Sequence, residues 1–283
     1  MDILHTIDNA RDKLNTLRSK RETIALVPTM GNLHAGHLKL VEAAGVAHSC
    51  VVVSIFVNPL QFGPDEDFDS YPRTLDEDCA RLREAGAHLV FAPSVAEMYP
   101  LGQQNHVEVK LPHLADLLCG EHRPGHFDGV GTVVTKLFNI IQPDAAFFGE
   151  KDYQQLQLIR IISRQLDLTT NVLGVPTVRT PDGLALSSRN QYLSESERAS
   201  APLLYATITR IREKIAAGEN DYAGLQSDAL AHLSQAGFAP DYVEVRDAQT
   251  LAVPAVNTKE LRILAAARLG KARLIDNIGA QTP

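Results

Sequence analysis

Three short segments concentrate the side chains able to handle phosphate. The first is PTMGNLHAGH (residues 28–37), in which His34 and His37 stand three residues apart and Gly31 and Gly36 permit tight turns and close backbone approach. At a helix start this spacing lets both imidazoles face one side of the first turn, where unpaired N–H groups and the positive dipole end favour an anion. Two histidine donors there could hold a phosphate and its developing charge. The second is FFGEKDYQQ (residues 147–155): Lys151 can stabilise charge moved onto oxygen, and Gln155, one turn further along the same face, can hold a substrate through its amide. In the third, LALSSRN (residues 184–190), Ser187, Ser188 and Arg189 follow a flexible Pro-Asp-Gly turn and offer many donors to a polyphosphate. Each has a bland alternative, namely packed or capping histidines, a solvated lysine and an ordinary polar loop. A zinc reading needs more ligands than the histidine pair supplies.

Two further loops carry weaker signals. VNPLQFGPDEDFDSYPR (residues 57–73) places the uncharged donor and acceptor Gln61 near a strand end, while the acidic run from Asp65 to Asp69 reads as solvated. GEHRPGHFDG (residues 120–129) holds His122 and His126 at the spacing of half a metal site, but the other half is missing, which favours a pocket wall or loop packing. Arg123 is available there to receive an anion.

These segments sit at the ends of strand-like runs. The apolar runs 24–28, 50–57, 88–93 and 144–149 alternate with helical patterns at 37–48, 74–86, 130–142 and 152–166, after an opening helix marked by Leu4, Ile7, Leu14 and Leu17. Continuous apolar strands between helices imply a parallel sheet covered on both faces, an α/β fold that binds ligands beyond the carboxyl ends of its strands. The pattern changes after about Pro176. Two helices within 194–217 and 222–237, then strands at 241–247, 261–269 and 272–278, predict a smaller α+β domain at 177–283 behind a larger one at 1–176.

Composition narrows the function classes. The 283 residues are 45% apolar and 22% charged, which excludes wholesale disorder. The net charge of −7 and pI near 5.8 give no basic footprint for nucleic acid. Three scattered cysteines, Cys50, Cys79 and Cys119, favour neither a disulfide scaffold nor a zinc site and fit a reducing cytoplasm. The N-terminal stretch lacks the continuous apolar core of a signal peptide, and the apolar run 50–57 is far too short to cross a bilayer, so no membrane role is expected.

Taken together, VPTMGNLHAGH, SIFVNPLQF, YPRTLDEDC, LVFAPS, RPGHFDGV, PDAAFFGEKDYQQLQLIR, DGLALSSRNQYL and ARLIDN resemble, in order and over nearly the whole chain, the pantothenate synthetase (pantoate–β-alanine ligase) family. H-x-G-H alone points only to the wider nucleotidyltransferase group. The resemblance implies a Rossmann-like N-terminal domain binding nucleotide and pantoate, a smaller C-terminal lid domain, usually a homodimer, and ATP with Mg2+. It implies an ATP site formed by Met30, Gly31, Asn32, Leu33, His34, Ala35, Gly36 and His37, with His37 the proton donor. Gly149, Glu150, Lys151, Asp152, Val178, Leu186, Ser187, Ser188 and Arg189 would complete that site. Gln61 would contact pantoate and β-alanine, and Gln155 pantoate; no metal ligand is assigned. One departure is Ala35, where the family usually carries an acid, a change that bears on fine positioning.

The reaction so implied forms an amide in two steps. Pantoate carboxylate attacks the α-phosphate of ATP to give pantoyl adenylate and pyrophosphate; the amine of β-alanine then displaces AMP, and no protein nucleophile is needed. The enzyme would supply alignment and charge stabilisation. His34 and His37 are expected on the phosphates, Lys151 on the transferring α-phosphate, and Ser187, Ser188 and Arg189 on the polyphosphate, with His37 acting as a hydrogen-bond donor rather than an obligatory acid. Two other readings compete: a nucleotidyltransferase that leaves the nucleotide on its product, and a non-catalytic nucleotide sensor, which would seldom need so many phosphate donors. The acidic total and the lack of an anticodon-sized appendage disfavour tRNA charging.

Overall fold

The computed structural model describes every residue except Asp65, Asp67 and Pro112, so part of the acidic run at 65–69 lies outside the described residues. The chain divides into two compact units, Met1–Glu150 with Leu158–Pro176, and Lys151–Gln157 with Thr177–Pro283.

The first unit is built on β1 (Asp2–Leu4), α1 (Ile7–Ser19), β2 (Ile24–Thr29), α2 (Ala35–Ala47), β3 (Cys50–Ile55), α3 (Leu75–Glu84), β4 (Leu89–Phe91), α4 (Val95–Met98), α5 (His126–Ile141), β5 (Ala145–Gly149), α6 (Tyr153–Gln165) and β6 (Asn171–Val175). The start of α6, through Gln157, counts with the second unit. The strands form one sheet in the order β1-β4-β3-β2-β5-β6, every pairing parallel. This is the Rossmann-like α/β sheet. Residues 24–27 and 50–54 are buried throughout, because helices cover both faces and leave no side for polar alternation. From β2 the chain moves outward to β3 and β4 on one side, and later to β5 and β6 on the other. The neighbours β2 and β5 therefore flank the reversal of strand order, where open α/β sheets leave a crevice beyond their carboxyl ends. The segment 28–37 leaves β2 at that end.

Local details differ from the sequence expectations for identifiable reasons. Leu4 belongs to β1, not to the opening helix; Thr6 caps that helix by accepting from the Asn9 N–H, so it starts at Ile7. The short edge strand β6, NVLGV, was hidden by its glycine. Helix α5 begins at His126, four residues before the expected start at 130, because Gly125 adopts φ +78° and turns the chain into it. Gly129 in its first turn has no room for a side chain: a Cβ would lie 2.3 Å from the Leu60 carbonyl oxygen.

The second unit carries α7 (Glu195–Ser200), α8 (Leu203–Ala216), α9 (Tyr222–Gln235) and the antiparallel sheet β7 (Ala239–Asp247), β8 (Glu260–Leu269), β9 (Ala272–Gln281). The single helix expected within 194–217 is two, since Pro202 has no N–H to continue the ladder. Leu204, Ile208, Ile211 and Ile215 recur at helical spacing along α8 and join Ile263, Ala265 and Leu274 of the sheet in one buried cluster. Among the described residues no helix is long and apolar enough to cross a membrane.

Candidate active site

In the first unit the chain leaves β2 and turns through Gly31 and Asn32, at φ +83° and +51°, before α2 begins. Leu33 is 1% exposed and anchors the turn in the core; burying such a side chain contributes about 2 kcal/mol. His34 is the N-cap of α2. Its Nδ1 accepts the Gly36 N–H at 3.1 Å, and the Nδ1 of His37 accepts the His34 N–H at 3.3 Å, a capping box made of two imidazoles. The ring centroids are 4.2 Å apart. Because each Nδ1 accepts a backbone proton, the neutral rings carry theirs on Nε2. Both histidines are thus set as Nε2–H donors at a helix N-terminus. Ala35, at the first helical position, is exposed.

Gln61 ends a 3-10 turn, Pro59–Gln61, that follows β3, and it is 9% exposed. Its Nε2 donates to the Met30 sulfur at 3.0 Å, and its Oε1 accepts from Asn58 Nδ2 at 3.2 Å. Asn58 is in turn held by the Gly129 carbonyl and by the Tyr99 hydroxyl, which donates to its Oδ1 at 2.8 Å. Burial raises the Tyr99 phenol, keeping it a neutral donor. The main-chain carbonyl of Gln61 meets His126 Nδ1 at 2.8 Å. Arg123 makes two 2.6 Å contacts with the Glu66 carboxylate and one of 2.9 Å with His126 Nε2. Burial alone would raise Glu66, but the Arg123 hydrogen bonds and charge outweigh it and hold the carboxyl below its ordinary range. Arg123, expected as an anion receiver, is thus engaged by a carboxylate of its own chain, and His126 bridges Arg123 and the Gln61 carbonyl. Gly149 and Glu150 lie at the carboxyl end of β5.

The second unit holds Lys151, Asp152, Gln155, Val178 and residues 186–189. Lys151 sits in a 3-10 turn, 3.8 Å from the Asp152 carboxylate, and its carbonyl accepts from Asn277 Nδ2 at 2.8 Å. Val178 and Leu186 are joined by a 3.0 Å backbone bond across a hairpin whose tip is the Pro-Asp-Gly turn. That turn is tied to α7. Asp182 pairs with Arg198 at 2.7 Å and accepts the Thr180 hydroxyl, so Arg198 and then Thr180 hold its carboxyl far below the usual range. Arg179 is bidentate on the buried Asp276, at 2.5 and 2.7 Å, and stacks over the Tyr205 ring at 3.6 Å. Ser187 caps the next turn by accepting the Arg189 N–H at 3.2 Å. A small cavity is lined by Lys151, Ser187, Asn190, Tyr205 and Asp276. Asn190 Oδ1 is buried there without a hydrogen-bond partner, an acceptor that a ligand donor could satisfy.

Asp276 and Asn277 are the members of ARLIDN that position neighbours, a role that their strand-like sequence did not reveal. Asp78, which touches the histidine loop, was equally hidden within an acidic helix start. Among the described residues no group of three or more His, Cys, Asp or Glu side chains could hold a metal ion.

Comparison with known proteins finds relatives over nearly the whole chain. A pantothenate synthetase from Pseudomonas aeruginosa is 53% identical over 98% of both chains. The crystal structure of pantothenate synthetase from Thermus thermophilus superposes with a TM-score of 0.90 at 45% identity, covering 98% of this chain and 99% of that one. The pantoate-β-alanine ligase of Francisella tularensis, crystallised with β,γ ATP and β-alanine, matches with a TM-score of 0.82 at 35% identity over 98% and 97% of the chains. The family model for pantoate-β-alanine ligase covers residues 2–279. With its histidine-capped helix following the strand beside the sheet's reversal point, this chain belongs to the pantoate-β-alanine ligase family.

Proposed function

We infer that the chain catalyses the reaction of its family, the ATP-dependent condensation of (R)-pantoate with β-alanine to pantothenate. The observation that carries the chemical assignment is the reciprocal cap of His34 and His37, which aims two Nε2–H donors from the start of α2. Residues 30–37, with Gly149 and Glu150, then bind the nucleotide. Lys151 neutralises the α-phosphate as the pantoate carboxylate attacks it, and Ser187, Ser188 and Arg189 take the polyphosphate, with Asp152, Val178 and Leu186 beside them. Gln61 meets pantoate and β-alanine, and Gln155 meets pantoate. Pyrophosphate leaves, β-alanine attacks the acyl carbon, the acyl C–O bond breaks, and AMP departs with the bridging oxygen.

No resident metal cage is formed by the described residues. In this reading Mg2+ would come with the triphosphate and would supply charge neutralisation there. A cytoplasmic homodimer is part of the same reading; light scattering at several protein concentrations tests the dimer.

The test is a product balance. With all three substrates, AMP, pyrophosphate and pantothenate should appear in equal amounts. Accumulation of a nucleotide-bearing product without AMP would favour a nucleotidyltransferase, and binding without turnover a sensor.

A further inference from the structure

We propose that Asp78 is a positioning residue that presets the histidine loop for phosphate; this rests on reading residues 30–37 as the triphosphate site. Asp78 lies in α3 and is 1% exposed. Its Oδ2 accepts the Asn32 N–H at 2.8 Å and the Thr74 hydroxyl at 3.0 Å, while its Oδ1 accepts the Leu33 N–H at 2.8 Å. A buried carboxylate therefore spends both oxygens on the loop immediately before His34. Arg81, one turn along the same helix, donates to the Leu33 carbonyl. Helix α3 thus grips both polar atoms of Leu33, whose side chain is itself buried.

The grip explains a backbone that would otherwise be disfavoured. Gly31 and Asn32 both have positive φ, and the Asn32 and Leu33 N–H groups both end on the Asp78 carboxylate. A Cβ on Gly31 would stand 3.0 Å from Asp78 Oδ2 and 3.2 Å from Ile55 Cγ2, so the carboxylate is packed against the glycine as well as bonded to its neighbours. Helix α2 is seated by its own buried Leu40, Val41 and Ala44, and the two imidazoles are set by their reciprocal cap. What Asp78 adds is the turn that delivers the chain into that cap, held from α3 at Asn32 and Leu33. Preorganised donors are effective because they need not reorganise as charge develops.

Asparagine keeps the shape of Asp78 but not its chemistry. Whichever way the amide is turned, its NH2 faces a backbone N–H or the Thr74 hydroxyl that now donates, and at least one loop bond is lost. The loop's assigned partners are the phosphates, and pyrophosphate leaves before β-alanine reacts. Asp78→Asn should therefore slow adenylation selectively.

The experiment measures two steps in wild type and Asp78→Asn. Pyrophosphate release is followed in a single turnover with ATP and pantoate, and aminolysis with synthetic pantoyl adenylate and β-alanine. Pyrophosphate release is expected to fall by about 10²-fold, with aminolysis within about threefold of wild type. Equal slowing of both steps, as from a smaller folded fraction, overturns the proposal, and so does no slowing of either. Should Asp78→Asn not fold, Thr74→Val decides: it removes one donor from the same carboxylate and should slow pyrophosphate release alone, by about threefold to tenfold. Absence of pyrophosphate release in wild type would instead remove the loop's assignment, and the proposal with it.

Discussion

The main-chain carbonyl of Gln61 is held by the imidazole of His126, 2.8 Å away. A carbonyl only accepts, so the His126 proton is on Nδ1; Nε2 then accepts from the Arg123 guanidinium at 2.9 Å. The neutral ring is thereby a two-ended strut between the start of α5 and the turn carrying Gln61. His126→Ala removes both ends. With Gln61 assigned to pantoate and β-alanine, the variant should raise the KM for pantoate by about tenfold, the worth of one to two hydrogen bonds, while the KM for ATP changes little. Steady-state kinetics with each substrate varied in turn would show this; an unchanged pantoate KM would disconnect the strut from the substrate site.

Glu66 gives the same loop a pH dependence. Its carboxyl is held below the ordinary 4.5 in the folded chain, so its pairing with Arg123 stabilises the fold above that value and is lost as pH falls through the folded-state value. The pair is partly solvated, which keeps its contribution to about 1 kcal/mol. Urea unfolding of wild type and Glu66→Gln should differ by roughly that amount between neutral pH and mildly acid pH, well above the ordinary carboxylate range. The gap should close in strong acid, where the wild-type carboxyl is protonated; a gap persisting there would mean that charge is not its source.

His37 has two functions that mutation separates. As the N3 partner in the capping box it contributes about 1 kcal/mol to the start of α2, and as an Nε2–H donor it is assigned to the phosphates. His37→Ala should therefore lower stability only modestly but slow pyrophosphate release by about 10²-fold or more. Lys151→Ala should match it kinetically. Near-normal single-turnover rates in both variants would refute the assignment.

Asp276 anchors the hairpin that leads into Leu186 and Ser187. It is 4% exposed, and Asp276→Ala would leave the Arg179 guanidinium without its bidentate partner. Breaking such a buried pair costs about 3 kcal/mol, and urea unfolding should show a loss of that order. A loss well under about 1 kcal/mol would mean that Tyr205 stacking alone holds Arg179.

The α/β alternation was legible because strands such as 50–55 are buried on both faces and read as unbroken apolar runs. The i,i+3 spacing of His34 and His37 likewise announced a shared face, and the rings lie 4.2 Å apart. What stayed hidden depends on partners distant in sequence. β1 has three residues and owes its existence to pairing with β4. The early start of α5 reads as a glycine-rich loop until Gly125 is seen at φ +78°. Asp78 is one of three acids in the first turn of α3, a position where such charges are ordinarily solvated. Asn277 looked like a strand residue, and its bond to the Lys151 carbonyl spans 126 positions. Local pattern shows the side chains able to do chemistry, whereas the residues that aim them are visible only once the chain is folded.

The acyl-adenylate route is tested most directly by isotope transfer. Pantoate labelled with oxygen-18 in its carboxylate is supplied with ATP and β-alanine, and the products are examined by mass spectrometry. Attack by that carboxylate on the α-phosphate requires one labelled oxygen in every AMP. Unlabelled AMP, or label in inorganic phosphate accompanied by ADP, would contradict it.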